Sequence, residues 1–430
     1  MSGWGPMAAA AGSAGSAGSA GSAGSAGSAG SAGSAGSAVP IVGLDGGMGF
    51  PGYSGLWPNG MLANSLVLTR DLLTSGSVRI NESNIGSLVP SSWGNGAEAL
   101  PTPESPQAIS RTQANVRAAL AELELFRHVE FSNTLQDLKY PMRRGATMSM
   151  LAIDANKMLA PRPLVCIAAP TRTEFITQLE SVFAFAELRA ERAGEVLSQV
   201  VPQVAYWSAI AALTPERHRN TLELLGIGLR FAMMVVMQFK ALLNCPRPAE
   251  YTALVQPMIL TPGYSAFPSG HATEAYFAAE LIAALHETKD DSRVLGDAGL
   301  PLDKFDVQRP RLRGQLHRLA FRVAENRVVA GLHFPVDSLA GQLLGVALAR
   351  YFVWSCTVST RSCTTQLPLE FTFGNVDATE LGKNSLGVVQ PVLDAHGLGK
   401  SIKTMEMKGA IRPVLGWLWA RSHDECKNAS

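Results

Sequence analysis

Three short segments in the middle of the chain carry residue types suited to chemistry: Lys240 with Arg247-Pro248, then Pro268-Ser269-Gly270-His271, then Arg327 with His333 and Asp337. Together they offer three fixed cations, a hydroxyl and two imidazoles. A site for a tetrahedral oxyanion such as phosphate or vanadate requires that set, because its oxygens need cationic and N–H or O–H donors and its protons need groups that titrate near neutrality. The spacing of the five cysteines (Cys166, Cys245, Cys356, Cys363, Cys426) gives no CxxC pair and no zinc-like pattern, and His-Glu-x-x-His is absent.

Each segment alone has an ordinary reading. A single lysine in an apolar helix more commonly snorkels to the surface than binds a ligand. Ser269-Gly270 stands where a helix continuing through Ala272, Ala275 and Ala278 should begin, so it is either a plain cap or an anion site made of backbone N–H groups, the hydroxyl and the helix dipole. Asp337 follows His333 by four residues, close enough to accept from one ring N–H, fix the tautomer and leave the other nitrogen free. A capping aspartate near a buried histidine would look the same.

The elements that must position these residues read as helices. Apolar residues Ile109, Val116, Leu120, Leu123 and Phe126 suggest one buried face over 108–131, and similar periodicity runs over 171–200. A third helix is expected from Pro215, behind a Thr214 cap, to about Asn244, where Cys245-Pro246-Arg247-Pro248 stops it. Further helices are expected over 272–286, 309–329, 335–354 and 411–421, with a charged surface loop over 287–308. One or two short strands are expected near 367–373.

Four regions follow: a Gly-Ser-Ala tether over 1–38, an irregular Gly/Pro-rich wrap over 39–107, a helical catalytic domain over 108–356 and a C-terminal appendage over 357–430. The tether contains nine perfect repeats over residues 12–38 and has nothing to bury. The fold class is all-α. The apolar fraction of 47% is ample for a core, and 36 Lys and Arg against 35 Asp and Glu give no global charge to attract nucleic acid. The odd, scattered cysteines and the lack of a basic start followed by an apolar run predict a cytoplasmic protein without a secretory signal. Lys240 and Arg350 interrupt the most apolar stretches, so no transmembrane segment is expected.

Taken jointly, Lys-x6-Arg-Pro, Pro-Ser-Gly-His and Arg-x5-His-x3-Asp resemble the signature of the type 2 phosphatidic acid phosphatase and vanadium haloperoxidase superfamily. The likeness covers Lys240 to Asp337, and it departs at Asn326, where the family usually has serine. It implies a helical bundle with the site at helix ends deep in the core. It also implies roles: Lys240, Arg247, Ser269, Gly270 and Arg327 would hold the oxyanion's oxygens, His333 would bond phosphorus or vanadium, His271 would be the general acid/base, and Asp337 would be the partner of His333. Tyr264 lies where haloperoxidases place an aromatic or histidine beside the cofactor, with Phe267 adjacent on the halide side, although an aromatic in a Gly-Tyr-Ser turn is often mere packing. The favoured expectation is a soluble vanadate-dependent haloperoxidase acting on hydrogen peroxide and halide. The alternative is a cofactor-free phosphatase cleaving a phosphate ester or pyrophosphate through a phosphohistidine. Neither implies a nucleic-acid partner.

Overall fold

The computed structural model describes residues 105–127, 129–133, 144–153, 159–200, 203–286, 311–357, 364–367, 369–372, 403–406 and 412–428. The Gly-Ser-Ala tether, nearly all of the Gly/Pro-rich wrap and the expected loop 287–308 lie outside these residues. In chain order the elements are α1 (Pro106–Arg111), α2 (Ala114–Phe126), β1 (Val129–Ser132), β2 (Gly145–Ile153), β3 (Leu159–Ala168), α3 (Arg172–Thr177), α4 (Leu179–Ala186), α5 (Arg189–Ser198) and α6 (Val204–Ala211). They continue with α7 (Arg219–Leu243), α8 (Pro248–Tyr251), α9 (Gly270–His286), α10 (Arg311–Val329), α11 (Pro335–Thr357), β4 (Thr364–Leu367), β5 (Leu369–Thr372), β6 (Lys403–Glu406) and α12 (Pro413–Asn428). The fold is the helical one read from the sequence, with few strands.

The bundle is built around α9, which packs against α11, α10 and α7. Every residue of α9 from Gly270 to Leu285 is buried, as expected for a helix that is apolar on all sides. Two glycines bring α11 unusually close. A Cβ at Gly341 would lie 2.5 Å from the Ser269 carbonyl oxygen and 2.7 Å from the Ala272 Cβ, and one at Gly345 would meet the Thr273 carbonyl. That approach lets the Ser269 amide donate to the Asp337 carbonyl at 2.9 Å, which locks the start of α9 to the start of α11.

Two stretches, Arg219–Tyr251 and Pro335–Thr357, are long and apolar enough by length and composition to cross a membrane. Their interrupting charges, Lys240 and Arg350, do not bring them below that limit. In this structure 72% and 94% of their most apolar windows are buried inside the bundle.

Several boundaries differ from the sequence reading. The first long helix ends at Phe126, and Val129–Ser132 pairs antiparallel with β2, Val129 opposite Met150. The alternation of Val129 and Phe131 with polar residues suits a strand, and Phe131 meets Phe239 of α7 edge-on at 6.3 Å. The sheet order is β1-β2-β3-β5, antiparallel except for β3 with β5, while β4 pairs with β6. Helix α2 is also rotated from the expected face. Ala118, Ala121 and Leu125 are buried, whereas Leu120 and Leu123 are exposed, because Arg117 turns inward to form a two-pronged pair with buried Glu223 at 2.8 and 2.6 Å. The stretch 171–200 is three short helices, the first closed by a Thr171–Glu174 capping box. Helix α7 begins at Arg219, since residues 214–218 form a separate turn in which the His218 amide donates to the Thr214 carbonyl at 2.8 Å.

The last helix is tied into the bundle by reciprocal capping. The Glu124 carboxylate of α2 accepts from the Val414 and Leu415 amides at 3.0 Å each, and the Glu425 carboxylate of α12 accepts from the Asn220 and Thr221 amides at 3.0 and 2.8 Å. Carboxylates at helix N-termini satisfy otherwise orphaned donors and favour the dipole. The second of these caps fixes the start of α7, whose far end carries Lys240.

Candidate active site

The four long core helices deliver the three segments by their ends. Lys240 lies in the last turn of α7, which stops at Asn244 in a left-handed conformation (φ 45°) just before the two prolines. Arg247 starts the turn helix α8, Ser269 precedes α9, Arg327 lies in the last turn of α10, and His333 and Asp337 flank the start of α11 at Pro335. Between α10 and α11 the chain turns at Gly331, whose φ of +76° and closeness to Arg189 both exclude a side chain.

These residues come together in the core. Asp337 Oδ2 accepts from His333 Nδ1 at 3.0 Å and from the Phe334 amide at 2.9 Å. The His333 proton therefore sits on Nδ1, and Nε2 presents a lone pair 3.4 Å from Arg247 Nη1. Arg247 is held by the carbonyls of Tyr264 and Leu332 at 2.9 and 3.0 Å. Lys240 Nζ donates to the carbonyls of Ser265 and Ala266 at 2.7 and 2.8 Å. The Tyr264 ring lies against both cations, 5.3 Å from Lys240 Nζ and 5.2 Å from Arg247 Cζ. His271 Nε2 donates to the Gln199 carbonyl at 3.1 Å, which leaves Nδ1 as the acceptor nitrogen. Phe267 belongs to an aromatic wall instead: it meets Phe175, and Phe175 meets Phe334, with centroids 6.4 and 5.0 Å apart.

One cation is left open. Arg327 is fully buried, and its Nη2 donates to the Val196 carbonyl and Gln199 Oε1 at 3.1 and 3.2 Å, yet Nε and Nη1 have no hydrogen-bond partner. Leaving two N–H groups of a buried guanidinium unmet is costly. An oxyanion on one edge of Arg327 would accept from one of these donors, so the residues present fit a phosphate or vanadate group.

The electrostatics agree. Burial, reinforced by Arg247, pulls the Lys240 ammonium well below the usual lysine range, and burial lowers Arg327 to about 10. His271 and His333 are driven well below their ordinary value, first by burial and then by the surrounding cations, so both rings are neutral at pH 7. Burial pushes Asp337 up to about 7 against the pull of the Phe334 amide, Lys240 and Arg247. An acid the sequence reading passed over, Glu274, is buried one turn into α9 with Oε1 unpartnered, and burial pushes its carboxyl well above the usual carboxylate range against the pull of Lys240. Gln199 was also missed, because nothing in a glutamine at a helix end signals a site.

Residues 222–361 match the sequence model of the PAP2 superfamily, a span that includes every segment from Lys240 to Asp337. No curated protein matches the chain.

Proposed function

Because this chain belongs to the PAP2 superfamily through residues 222–361, and members of that superfamily are phosphatases or haloperoxidases, we propose that it is a vanadium-dependent haloperoxidase-like enzyme that oxidises halide with hydrogen peroxide. The observation that carries this reading is the depth of the cradle. Lys240, Arg247, Ser269 and Arg327 are at most 2% exposed, His333 is 4% and His271 6%. A site so enclosed suits small diffusing reactants better than a bulky ester. The two apolar helices are read as bundle core, in keeping with the burial of their apolar windows.

Vanadate, when bound, supplies the Lewis acidity that activates peroxide toward halide. The chain's own residues hold and tune it. His333 would bind through the Nε2 lone pair that Asp337 leaves free, and Lys240, Arg247, Arg327, the Ser269 hydroxyl and the Gly270 amide would balance the oxygens. His271 would accept and return a proton at Nδ1, and the buried setting would exclude bulk water.

One observation also favours a phosphatase: the neutral His333 Nε2, beside Arg247, is already a competent nucleophile. In that reaction His271 Nδ1 would first take up the proton that a phosphate monoanion brings; Nε2 of His333 attacks phosphorus, the P–O bond to the leaving group breaks, and His271 passes that proton to the departing oxygen. Water then attacks the phosphohistidine while His271 takes its proton back, releasing phosphate. Purified protein assayed with and without orthovanadate for peroxide-dependent halogenation, and in parallel for phosphate release from an aryl phosphate, separates the two. Halogenation that appears only with vanadate is expected. Phosphate release without vanadate, and no halogenation with any halide, overturns the proposal in favour of the phosphatase.

A further inference from the structure

Helix α5 offers no reacting atom to the cradle, yet two of the cradle's groups rest on the residue that follows it. Gln199, 1% exposed, accepts at its carbonyl from His271 Nε2 at 3.1 Å and at its side-chain Oε1 from Arg327 Nη2 at 3.2 Å. The acid/base candidate and the open cation are therefore anchored to a single residue.

The orientation of that residue is itself determined. Asn326 Nδ2 donates to Gln199 Oε1 at 3.0 Å, so the Gln199 amide must present its oxygen, not its nitrogen, toward Arg327. Asn326 is oriented in turn. Its Nδ2 also donates to Glu195 Oε2 at 2.9 Å and its Oδ1 accepts from Arg192 Nη1 at 3.1 Å, which excludes the flipped amide. Glu195 is clamped by Arg322 through two bonds of 2.7 Å, and that clamp is the first cause holding its carboxylate at about 2. The chain of orientation runs from the α5–α10 ion pairs to Asn326, to Gln199, to the cradle. Asn326 is the position at which the sequence departs from the superfamily pattern, and a serine there could not donate to Gln199 and Glu195 while accepting from Arg192 in this geometry.

We propose that Gln199 is a positioning residue that couples the proton-exchanging His271 to the oxyanion-binding Arg327, with Asn326 setting its amide. Its carbonyl fixes His271 in the Nε2–H form, so that Nδ1 faces the reaction. Its Oε1 holds Arg327 Nη2 and so fixes the plane of the guanidinium whose Nε and Nη1 remain unmet. The inference rests on the oxyanion reading of the site, but not on the choice between haloperoxidase and phosphatase.

The test uses the full chain with inorganic phosphate as the probe, measured by calorimetry, and needs no turnover. Gln199→Met, similar in volume but without the acceptor, should weaken phosphate binding about tenfold with the melting temperature little changed. In an Arg327→Lys background the same change should add less than about threefold, because the two residues act as one unit. A Gln199→Met effect below about twofold, or full additivity with Arg327→Lys, overturns the proposal while leaving the oxyanion site intact. Failure of the wild-type protein to bind either phosphate or vanadate overturns the oxyanion reading, and the proposal falls with it. A second measurement needs no folded Gln199 variant: nitrogen-15 spectra of labelled histidines, with the His271 signal identified by its loss in His271→Ala. They should show His271 as the Nε2–H tautomer. The Nδ1–H form would mean that the Gln199 carbonyl does not hold it, and the proposal would be wrong.

Discussion

Two buried clusters of charge sit along α9, and they differ in whether a carboxylate pairs with an arginine. Around Glu280, nine residues beyond His271, the carboxylate takes Arg313 on one oxygen and His317 Nε2 at 2.5 Å on the other. Burial alone would raise Glu280, but Arg313 and His317 outweigh it and hold the carboxyl below its usual range. At the Gly270 end Arg327 keeps two unmet donors, burial pushes Glu274 well above the usual carboxylate range, and burial and the cations drive both imidazoles well below their ordinary value. Around Glu280 a buried carboxylate is paired with two bases, and at the Gly270 end cation donors are left over, an arrangement that an anionic ligand would complete.

The contrast can be broken from either side. The largest effect should come from His333→Ala, which removes the ring nitrogen 3.4 Å from Arg247 Nη1 and should lower turnover by at least about a thousandfold with little change in melting temperature. A fully active variant would remove the site assignment. Glu280→Ala should do the reverse, costing about 3–5 kcal/mol in denaturant unfolding because Arg313 and His317 lose the buried carboxylate they share, while turnover per folded molecule stays within about twofold. Arg327→Lys keeps a charge but loses the planar donor fork, and should weaken phosphate binding by about 10- to 100-fold in calorimetry.

The two clusters should also respond to pH in opposite directions. Lys240 has a lowered pKa in the free site and a higher one beside an anion, so phosphate binding takes up a proton. Affinity should therefore fall as pH rises through the lowered value, and calorimetry in buffers of different ionisation enthalpy should detect the uptake. Glu280 has a depressed pKa, so its contribution to stability is complete above the ordinary carboxylate range and is lost only as pH falls toward its folded value. Acid unfolding of wild type against Glu280→Gln should show this. The smallest effect should be that of Tyr264→Phe, which keeps an aromatic face against Lys240 and Arg247 and should change phosphate affinity by no more than about threefold.

Much of the cradle was legible because its parts are local. Asn244 with the prolines at 246 and 248 ends α7, Ser269 stands before α9, and Asp337 lies one turn from His333, so short-range rules set both the helix ends and the imidazole tautomer. The helices over 270–286, 311–329 and 335–357 fall within a few residues of where periodicity puts them. Periodicity failed where a distant partner decided. Leu120 and Leu123 look like a core face, but the pairing of Arg117 with Glu223, 106 residues away, rotates α2 and exposes them. Val129–Ser132 continues a helical pattern until β2 claims it as a strand.

The sequence by itself determined which groups stand at the helix ends that meet in the core, because Lys240, Arg247, Ser269, His271, Arg327, His333 and Asp337 are placed by caps and breaks within a few residues of each. Only the tertiary structure decided which of their bonds are already filled. Gln199 reaches His271 from 72 residues away and Arg327 from 128, and the glycines of α11 set how closely the start of α9 approaches Asp337. Burial and pairing are properties of neighbours in space, so the two open donors of Arg327, the buried Glu274 and the supporting Gln199 come into view only once the helices are packed.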